Sequence, residues 1–330
     1  MTLEAIAPEQ AALVVIDMQN AFCHAEGTLG ISGVDIGPAR QVIDPVRSLA
    51  LAFKEAGLPV IWTQQVHMEK DASRARKVLA SHTAKRARVS ALAGSWDAAI
   101  VDELADLADD PTFVVTKHRF GAFYETRLRS LLDMLGVRAL FVTGVTANAC
   151  VETTLREAYL RDYDAVAVVD AIAAVRPEWE ATAHAVWAQY LAVLATSSEV
   201  HEWLEAALAP KALQLHHLLL KTADLGRAER FYVDVIGLDV RDRQEFRAGG
   251  QLIVTSQGIG LLGAGGEAPG SVLEHLCLRA RNIDAIAARA LAGGHRVISG
   301  PGPGPYGYTV YIEDPDGNQV ELFEADKKML

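Results

Sequence analysis

The sequence predicts an α/β domain with a doubly wound parallel sheet, followed by an α+β domain of two βαβββ modules. The length of 330 residues exceeds what one hydrophobic core usually organises. Apolar runs alternate with helical spacing through the amino-terminal half, a pattern typical of a parallel sheet buried on both faces. In the carboxyl-terminal half, an order of strand, helix and strands occurs twice, which indicates two similar modules packed side by side.

In the first domain, short apolar runs predict the strands ALVVIDMQ, LPVIWTQ, TFVVTKH, RALFVTG, AVAVVDA and LAVLATS. Apolar residues at helical spacing predict helices from Gly37 to Gly57, around Thr126 to Leu135, from about Asn148 to Arg161, and after Pro177. Ligands of such sheets bind at the carboxyl ends of the strands. We therefore expect the functional residues just after the strands.

The second domain begins where EAALAPK ends a helix at a proline, so we expect domains over residues 1–208 and 209–330. LQLHHLLLK predicts its first strand, ADLGRAERFYVDVIG predicts a short amphipathic helix, and three glycine-separated strands follow. The second module then comprises SVLEHLCLRA, a helix from Asn282 to Ala292, and further strands to Phe323.

Composition and charge exclude several classes of protein. Hydrophobic residues make up 50% of the chain and charged residues 22%, as in ordinary globular domains. No apolar run approaches the roughly 20 residues of a membrane-spanning helix, and MTLEAIAPEQ carries no secretion signal, so we expect a cytoplasmic protein. The net charge of −11 repels nucleic acid and anionic lipid. We expect a small-molecule substrate, neither a nucleic-acid nor a membrane partner, and a homo-oligomer.

Three polar residues lie where the predicted sheet places chemistry. Asp17 ends the first strand, Lys117 follows FVVT, and Cys150 opens a helix just beyond FVTGVTANA. A helix N-terminus and a nearby ammonium favour a reactive thiolate, while a carboxylate takes the thiol proton and returns it to a leaving amine. Taken singly, a buried cysteine, a capping aspartate and a solvated lysine are common structural residues. Their joint placement favours amide hydrolysis.

The region from about Ala11 to Leu204 resembles the isochorismatase-like cysteine hydrolases, which include nicotinamidases, carbamoylsarcosine amidohydrolase and ureidoacrylate or biuret amidohydrolases. The motifs VVIDMQNAFCH, KHRFGAFYETRL and VTGVTANACVETTLREAYLRDY carry the resemblance. It implies that Cys150 is the nucleophile, Asp17 the general base, and Lys117 the group that tunes both. It also implies a cis peptide between Val145 and Thr146, with the Thr146 and Cys150 amides forming an oxyanion hole. The cysteine favours acyl transfer over vinyl-ether hydrolysis.

Two further predictions concern the surroundings of these residues. In the nicotinamidase branch an aspartate and a histidine in the segment TQQVH would bind a metal, but position 65 is Gln65 and only His67 remains. We therefore expect no metal in the hydrolase domain and disfavour nicotinamide as the substrate. Arg119 is a candidate clamp for a substrate carboxylate, although a structural or solvated role is equally compatible with its position. Candidate walls of the substrate pocket are Phe22, Trp62 and Tyr124, together with His24, Trp96 and Phe123.

A second constellation lies in the carboxyl-terminal half. His217 and His275 lie on the first strands of the two modules, and Glu321 lies on the last strand of the second. Two imidazoles and one carboxylate with open positions are typical of sites for Fe(II), Mn(II) or a related divalent ion. Strand alternation predicts that the neighbouring His216 faces the other way, which assigns His217 to the site. We expect a divalent ion, namely Fe, Mn, Ni or Zn.

The region from about Leu213 to Ala325 resembles the vicinal oxygen chelate superfamily, which includes glyoxalase I, fosfomycin resistance enzymes, extradiol dioxygenases and metal-free drug-binding proteins. The segments HLLLKTADLGRAERFYVDVIGLDV and YIEDPDGNQVELFE carry this resemblance, and the three donors fall at the family's ligand positions. A glyoxalase-type ligand is missing where IGLLGAG stands, and GPGPGPYGY lacks the histidine of ring cleavage. Both activities are thus disfavoured. Tyr308 and Tyr311 either line the predicted metal-binding cavity or pack on the strands.

The leading hypothesis is a cysteine amidohydrolase that cleaves a small amide, ureido or carbamoyl compound through a thioester. The fused metal-binding domain would act on a related metabolite. Such a fusion is advantageous because tethering two reaction steps raises the effective concentration of the intermediate at the second site. The alternative is that the carboxyl-terminal domain only binds a ligand or serves oligomerisation. A third hypothesis, that both halves only bind ligands, is opposed by the intact set of Asp17, Lys117 and Cys150.

Overall fold

The structure is a computed structural model that describes residues 2–70, 86–245, 250–263, 273–304, 307–313 and 319–325. It divides into two compact units, residues 1–207 and residues 208–330. Four predicted motifs lie partly outside the described residues: positions 264–265 of IGLLGAG, 271–272 of SVLEHLCLRA, 305–306 of GPGPGPYGY and 314–318 of YIEDPDGNQVELFE. Within the described ranges, no helix has both the length and the apolar character needed to cross a membrane.

The first unit contains a six-stranded parallel sheet, which confirms the predicted doubly wound α/β class. Its strands are β1 (Ala11–Ile16), β2 (Val60–Gln65), β3 (Val114–Lys117), β4 (Ala139–Val145), β5 (Asp164–Ala173) and β6 (Val193–Ala195). They lie in the order β3-β2-β1-β4-β5-β6. The winding direction reverses between β1 and β4, and such switch points are where ligands bind at the carboxyl ends of the strands.

The helices of the first unit cover both faces of the sheet. They are α1 (Asn20–Cys23), α2 (Thr28–Ile31), α3 (Gly37–Gln41), α4 (Ile43–Glu55), α5 (Asp102–Ala105), α6 (Leu128–Met134), α7 (Glu152–Tyr159), α8 (Glu180–Tyr190) and α9 (Ser197–Leu208). The helix predicted from Gly37 to Gly57 is divided into α3 and α4. Pro45 explains the division, because it has no amide hydrogen to donate to the carbonyl four residues earlier.

Alternate residues of β1 enter different cores, as expected for a strand buried on both faces. Leu13 and Val15 pack on one side, where Phe53 of α4 also lies. Val14 and Ile16 pack on the other side with the apolar residues of α6 and α7. All six residues of β1 are buried, so the residue that follows it is delivered to the edge of the sheet from a rigid strand.

Gly144 allows β4 to approach β1 closely at this edge. Its φ is +102°, and a Cβ placed there would lie 2.1 Å from the Ile16 oxygen. Ile16 and Gly144 are also partners in the β1–β4 register. A side chain at this position would therefore displace the strand ends that carry the polar residues of the first constellation.

The second unit contains an eight-stranded sheet built from two modules, which confirms the predicted α+β class. The first module is β7 (Lys211–Thr222), α10 (Leu225–Glu229), β8 (Val240–Glu245), β9 (Gln251–Thr255) and β10 (Ile259–Gly263). The second is β11 (Leu273–Arg281), α11 (Ile283–Ala292), β12 (Val297–Gly304), β13 (Gly307–Glu313) and β14 (Gln319–Glu324). The order is β12-β13-β14-β11-β7-β10-β9-β8, so the modules meet where β7 pairs with β11.

Candidate functional site

Asp17, Lys117 and Cys150 converge at the carboxyl edge of the first sheet. Asp17 directly follows β1, Lys117 ends β3, and Cys150 lies in a π-helical turn, Ala147–Val151, between β4 and α7. The Lys117 Nζ is 2.6 Å from Asp17 Oδ2, and the Cys150 thiol contacts both side chains. The residues are 1%, 0% and 7% exposed, so this group of charges is buried.

Strand β2 lies between β1 and β3, and its polar residues hold the ion pair in place. Thr63 Oγ1 donates to Asp17 Oδ1 at 2.7 Å and accepts from the Asp17 amide at 3.1 Å. Lys117 Nζ donates to Gln65 Oε1 at 2.9 Å and to the Arg119 carbonyl at 3.1 Å. Sequence reasoning missed these roles of Thr63 and Gln65. The available signal was the polar segment that ends the apolar run LPVIWTQ.

Burial and charge set the resting protonation state of the cluster. Burial raises the pKa of the Cys150 thiol to about 12; Lys117 opposes this shift and Asp17 reinforces it. Burial alone would lower the pKa of Lys117, but the charge of Asp17 and the contact with Cys150 raise it. The resting site therefore holds a thiol beside an ion pair, and the assignment of Asp17 as the acceptor of the thiol proton stays a prediction.

The predicted cis peptide between Val145 and Thr146 is confirmed. The Thr146 carbonyl accepts from the Ala149 amide at 3.1 Å and from the Val151 amide at 3.2 Å, which starts the π-helical turn carrying Cys150. The assignment of the Thr146 and Cys150 amides as an oxyanion hole stays a prediction.

Thr154, which the sequence analysis did not single out, connects Cys150 to a neighbouring loop. Its Oγ1 donates to the Cys150 carbonyl at 2.7 Å and accepts from the Ala122 amide at 3.1 Å. Glu157, one turn along α7, accepts from the Phe123 amide at 2.9 Å. These contacts fasten the segment after Lys117 to the helix that follows Cys150. No sequence pattern marked Thr154, because a threonine inside a helix commonly bonds a carbonyl of the preceding turn.

The predicted substrate-binding residues have different environments. Phe22 on α1 and Trp62 on β2 are only 6% and 1% exposed and lie in the core on one face of the sheet. Tyr124 is half exposed. Arg119 is partly buried, and its Nη1 donates to the His118 carbonyl at 2.8 Å. Contact of these four side chains with substrate stays a prediction.

Gln65 and His67 lie in the segment TQQVH, where the nicotinamidase branch would bind a metal. Both side chains participate in internal hydrogen bonds. Gln65 Oε1 accepts from Lys117, and its Nε2 is 3.4 Å from His67 Nε2. His67 Nδ1 bonds the Ser90 carbonyl at 2.6 Å. In the part of the chain that the structure describes, His67 belongs to no cluster of three potential ligands. The expectation of a metal-free hydrolase domain stays a prediction.

In the second unit, His217, His275 and Glu321 meet at a cavity of about 690 Å³. His217 Nε2 is 2.9 Å from His275 Nε2, and Glu321 Oε2 is 3.1 Å from His275 Nε2 and 3.7 Å from His217 Nε2. Ligands bound at 2.0–2.2 Å lie about 2.9 Å apart at right angles and about 3.4 Å apart in a tetrahedron. The three donors thus have separations that suit one divalent ion.

The surroundings of the three donors also fit a metal. The Glu274 carboxylate contacts His275 Nδ1, the arrangement by which a second carboxylate orients a metal-binding imidazole. Burial lowers the pKa of His217 to about 4, which keeps it neutral. Burial opposes the charge on His275, but Glu274 and Glu321 raise its pKa to about 9. The cluster therefore attracts one positive charge, which a metal ion would supply in place of the proton.

The prediction that His216 faces away from this cavity is wrong. His216 and His217 both line it, and their Nδ1 atoms are 2.8 Å apart. The cause is an irregularity in the β7–β11 register: His217 pairs with Cys277 and Leu215 with Leu278, so His216 is the extra residue. A β-bulge of this kind interrupts side-chain alternation. Cys277 is thereby brought beside the two imidazoles, with its Sγ 3.9 Å from His216 Nδ1.

Comparisons with known proteins match both parts of the chain. A family model described as the Isochorismatase domain matches residues 11–199, and one described as the Glyoxalase/Bleomycin resistance protein/Dioxygenase superfamily matches residues 214–322. Both resemblances stated from the sequence are thereby confirmed.

The first unit is also similar to solved structures. A cysteine hydrolase from Pseudomonas syringae pv. phaseolicola 1448A is 25% identical with a TM-score of 0.50, covering 61% of this chain and 95% of that one. An N-carbamoylsarcosine amidase from Thermoplasma acidophilum is 28% identical with a TM-score of 0.46 over 57% and 96%. The nicotinamidase PncA from Bacillus subtilis is 24% identical with a TM-score of 0.48 over 56% and 99%.

Proposed function

The chain belongs to the isochorismatase domain family, and we propose that its first unit hydrolyses the C–N bond of a small amide, ureido or carbamoyl compound through a thioester on Cys150. The observation that carries the proposal is the buried contact among Asp17, Lys117 and Cys150, with 2.6 Å between Lys117 Nζ and Asp17 Oδ2. A nucleophile, a proton acceptor and a cation in mutual contact are the groups that acyl transfer requires.

Acylation follows from the resting protonation state. Asp17 takes the proton of the Cys150 thiol as Sγ attacks the substrate carbonyl carbon, and Lys117 stabilises the thiolate while the bond forms. The carbonyl oxygen becomes an oxyanion next to the Thr146 and Cys150 amides. The C–N bond then breaks, and protonated Asp17 gives its proton to the leaving nitrogen. The products of this step are a thioester, free amine or ammonia, and an ionised Asp17.

Deacylation uses the same groups in reverse. Asp17 removes a proton from a water molecule that attacks the thioester carbonyl carbon, and the second tetrahedral species collapses with loss of the Cys150 sulfur. The proton on Asp17 returns to that sulfur, which restores the thiol. Burial of the site supports this cycle, because a proton held between Asp17 and Cys150 exchanges slowly with bulk water.

The residues around the cluster support a carbamoyl or ureido acid as the substrate class. Gln65, a neutral partner of Lys117, stands where the nicotinamidase branch would have an acidic metal ligand. We therefore assign polarisation of the substrate carbonyl to the backbone amides of Thr146 and Cys150. The backbone carbonyl of Arg119 accepts from Lys117, which holds this partly buried residue next to the cluster, and we propose that its guanidinium pairs with a substrate carboxylate. Three free cysteines suit a reducing compartment, and we propose the cytoplasm.

The test is ammonia release from a panel of carbamoyl acids, ureido acids and aryl amides by the full chain and by Cys150→Ala. We expect release from at least one class and none above background from Cys150→Ala. Cys23→Ala, which removes another buried thiol of the same unit, is the matched control and should retain activity. Equal turnover by the wild type and Cys150→Ala would overturn the proposal.

We propose that the second domain, predicted over residues 209–330, binds one divalent ion through His217, His275 and Glu321. Their separations and the support of His275 by Glu274 carry this proposal. A bound ion would supply a Lewis acid to a ligand in the adjoining cavity. The protein side chains orient the donors, and the buried Glu321 compensates the positive charge.

The alternative for the second unit is a binding or oligomerisation role without metal. Elemental analysis of the purified chain, with Glu321→Ala as comparison, separates the two: we expect the wild type to bind one equivalent per chain more than the variant. Absence of bound metal after reconstitution with Fe²⁺, Mn²⁺, Ni²⁺ and Zn²⁺ would contradict the metal proposal. The homo-oligomer stays a prediction, which sedimentation of the full chain tests.

A further inference from the structure

We propose that His216, His217 and Cys277 form a second metal site beside the first, sharing only His217 with it, for a thiophilic ion such as Zn²⁺. The ligand atoms of these three residues all lie within 4.8 Å of one another. The site goes beyond the proposed function, because its sulfur and its additional imidazole are not part of the His217, His275 and Glu321 set.

The sheet register places Cys277 between His217 and Glu321. Cys277 on β11 pairs with His217 on β7 on one side and with Glu321 on β14 on the other. Directly paired residues of neighbouring strands share one face, with Cβ atoms about 4.5–5.5 Å apart. The thiol therefore occupies the same row of the sheet as two members of the first site, and it is fully buried there.

The β-bulge at His216 supplies the third donor. Without the extra residue in β7, His216 would face the opposite side of the sheet, and only His217 would remain near Cys277. With it, His216 Nδ1 lies 2.8 Å from His217 Nδ1 and 3.9 Å from Cys277 Sγ. Zinc ligands at ordinary bond lengths are about 3.4 Å apart for two nitrogens and about 3.6 Å for nitrogen and sulfur. To reach these separations, the two nitrogens would move about 0.6 Å apart, and the nitrogen and sulfur would move about 0.3 Å closer.

The two nitrogens of His217 serve the two sites separately. Its Nε2 faces His275 Nε2 at 2.9 Å, whereas its Nδ1 faces His216 Nδ1 at 2.8 Å. Each ring nitrogen of His217 thus lies next to a donor of a different site. If both sites were filled, the Cys277 thiol and the remaining ring N–H of His217 would release their protons to solvent, and the two nitrogens of His217 would each serve one ion.

The donor types distinguish the two sites. The first, with two imidazoles and a carboxylate, accepts a range of divalent ions, whereas a thiolate with two imidazoles selects Zn²⁺ and other thiophilic ions. An ion in the second site would also fix the His217 ring and hence the geometry of the first.

The experiment uses the full chain, stripped of metal with a chelator and titrated with Zn²⁺ against a chromophoric competitor, then with Co²⁺ followed by absorption. We expect two equivalents per chain and a near-ultraviolet sulfur-to-cobalt charge-transfer band. Cys277→Ser and His216→Ala should each remove one equivalent and the band. Glu321→Ala should remove the other equivalent and retain the band, and Cys150→Ser should change neither readout.

Three outcomes would overturn the second site. One equivalent that depends on Glu321, without the band, leaves only the first site. If the wild type binds one equivalent and shows the band, and both are lost in Cys277→Ser and in Glu321→Ala, then a single ion is bound by donors of both sets. Absence of metal binding removes both proposals together. If Cys277→Ser fails to fold, His216→Ala decides, because the exposed His216 side chain contributes little to the core.

Discussion

Asp17 and Lys117 should have opposite effects on the reactivity of Cys150, and this difference provides a direct test of the buried cluster. Asp17 raises the pKa of the thiol and Lys117 lowers it. Asp17→Asn retains the size of the side chain and an oxygen for the Thr63 hydroxyl while removing the negative charge. We expect a lower thiol pKa in Asp17→Asn and a higher one in Lys117→Met.

The size of the effect follows from the charges. Two unit charges about 4 Å apart interact by about 4 kcal/mol at an effective dielectric constant near 20, which corresponds to about three pKa units. The thiol starts at a pKa of about 12, and only the thiolate reacts with iodoacetamide. Alkylation of Cys150 at neutral pH should therefore rise by about 10- to 1,000-fold in Asp17→Asn, the lower bound allowing for screening.

The assay is peptide mapping of alkylated full-length chain over time, with Cys277 of the second unit as the internal standard whose rate should not change. Turnover by Asp17→Asn should fall by about 10²- to 10⁴-fold, because the general base is lost. Faster alkylation combined with lost turnover separates a base from a residue that only maintains the fold. Slower or unchanged alkylation of Cys150 in Asp17→Asn, in a chain with wild-type circular dichroism, would refute the reasoning.

Three further predictions concern neighbouring residues. Thr154→Val leaves the Cys150 carbonyl without its hydroxyl partner and should lower the free energy of unfolding by about 1–3 kcal/mol. Urea titration measures this loss with Thr153→Val as a matched control, and equal losses in the two variants would contradict the prediction. Gly144→Ala places a Cβ 2.1 Å from a backbone oxygen of β1 and should cost about 2 kcal/mol or more; an unchanged melting temperature would be inconsistent with that contact. Arg119→Ala should raise KM about 10- to 100-fold for substrates that carry a carboxylate, because a charge-assisted hydrogen bond is lost. In the same steady-state assay, KM for neutral amides should not change, and equal changes for both substrate types would exclude a carboxylate clamp.

The strands and the polar residues after them were predictable because both depend on local patterns. Continuous apolar runs predicted all six strands of the first sheet, and the rule on carboxyl ends predicted where Asp17 and Cys150 would lie. The strand order was not predictable from these runs. That order places Lys117 two strands away from Asp17, so its side chain reaches across β2 and contacts Gln65 on the way.

The second site was only partly predictable because one extra residue in a strand changes which face a side chain occupies. Alternation correctly brought His217 and His275 to one cavity and wrongly excluded His216. The bulge depends on how β7 pairs with β11, which is a tertiary property without a signal in LQLHHLLLK. Cys277 was missed for the same reason, since its role depends on its partners across the sheet.

The central claim is that Cys150 becomes covalently acylated during turnover, and the mass of the full chain quenched in acid during steady-state hydrolysis tests it most directly. We predict a transient mass increase equal to the acyl group, located by peptide mapping on Cys150 and absent from Cys150→Ala. An adduct on a different residue, or wild-type turnover by Cys150→Ala, would contradict the account.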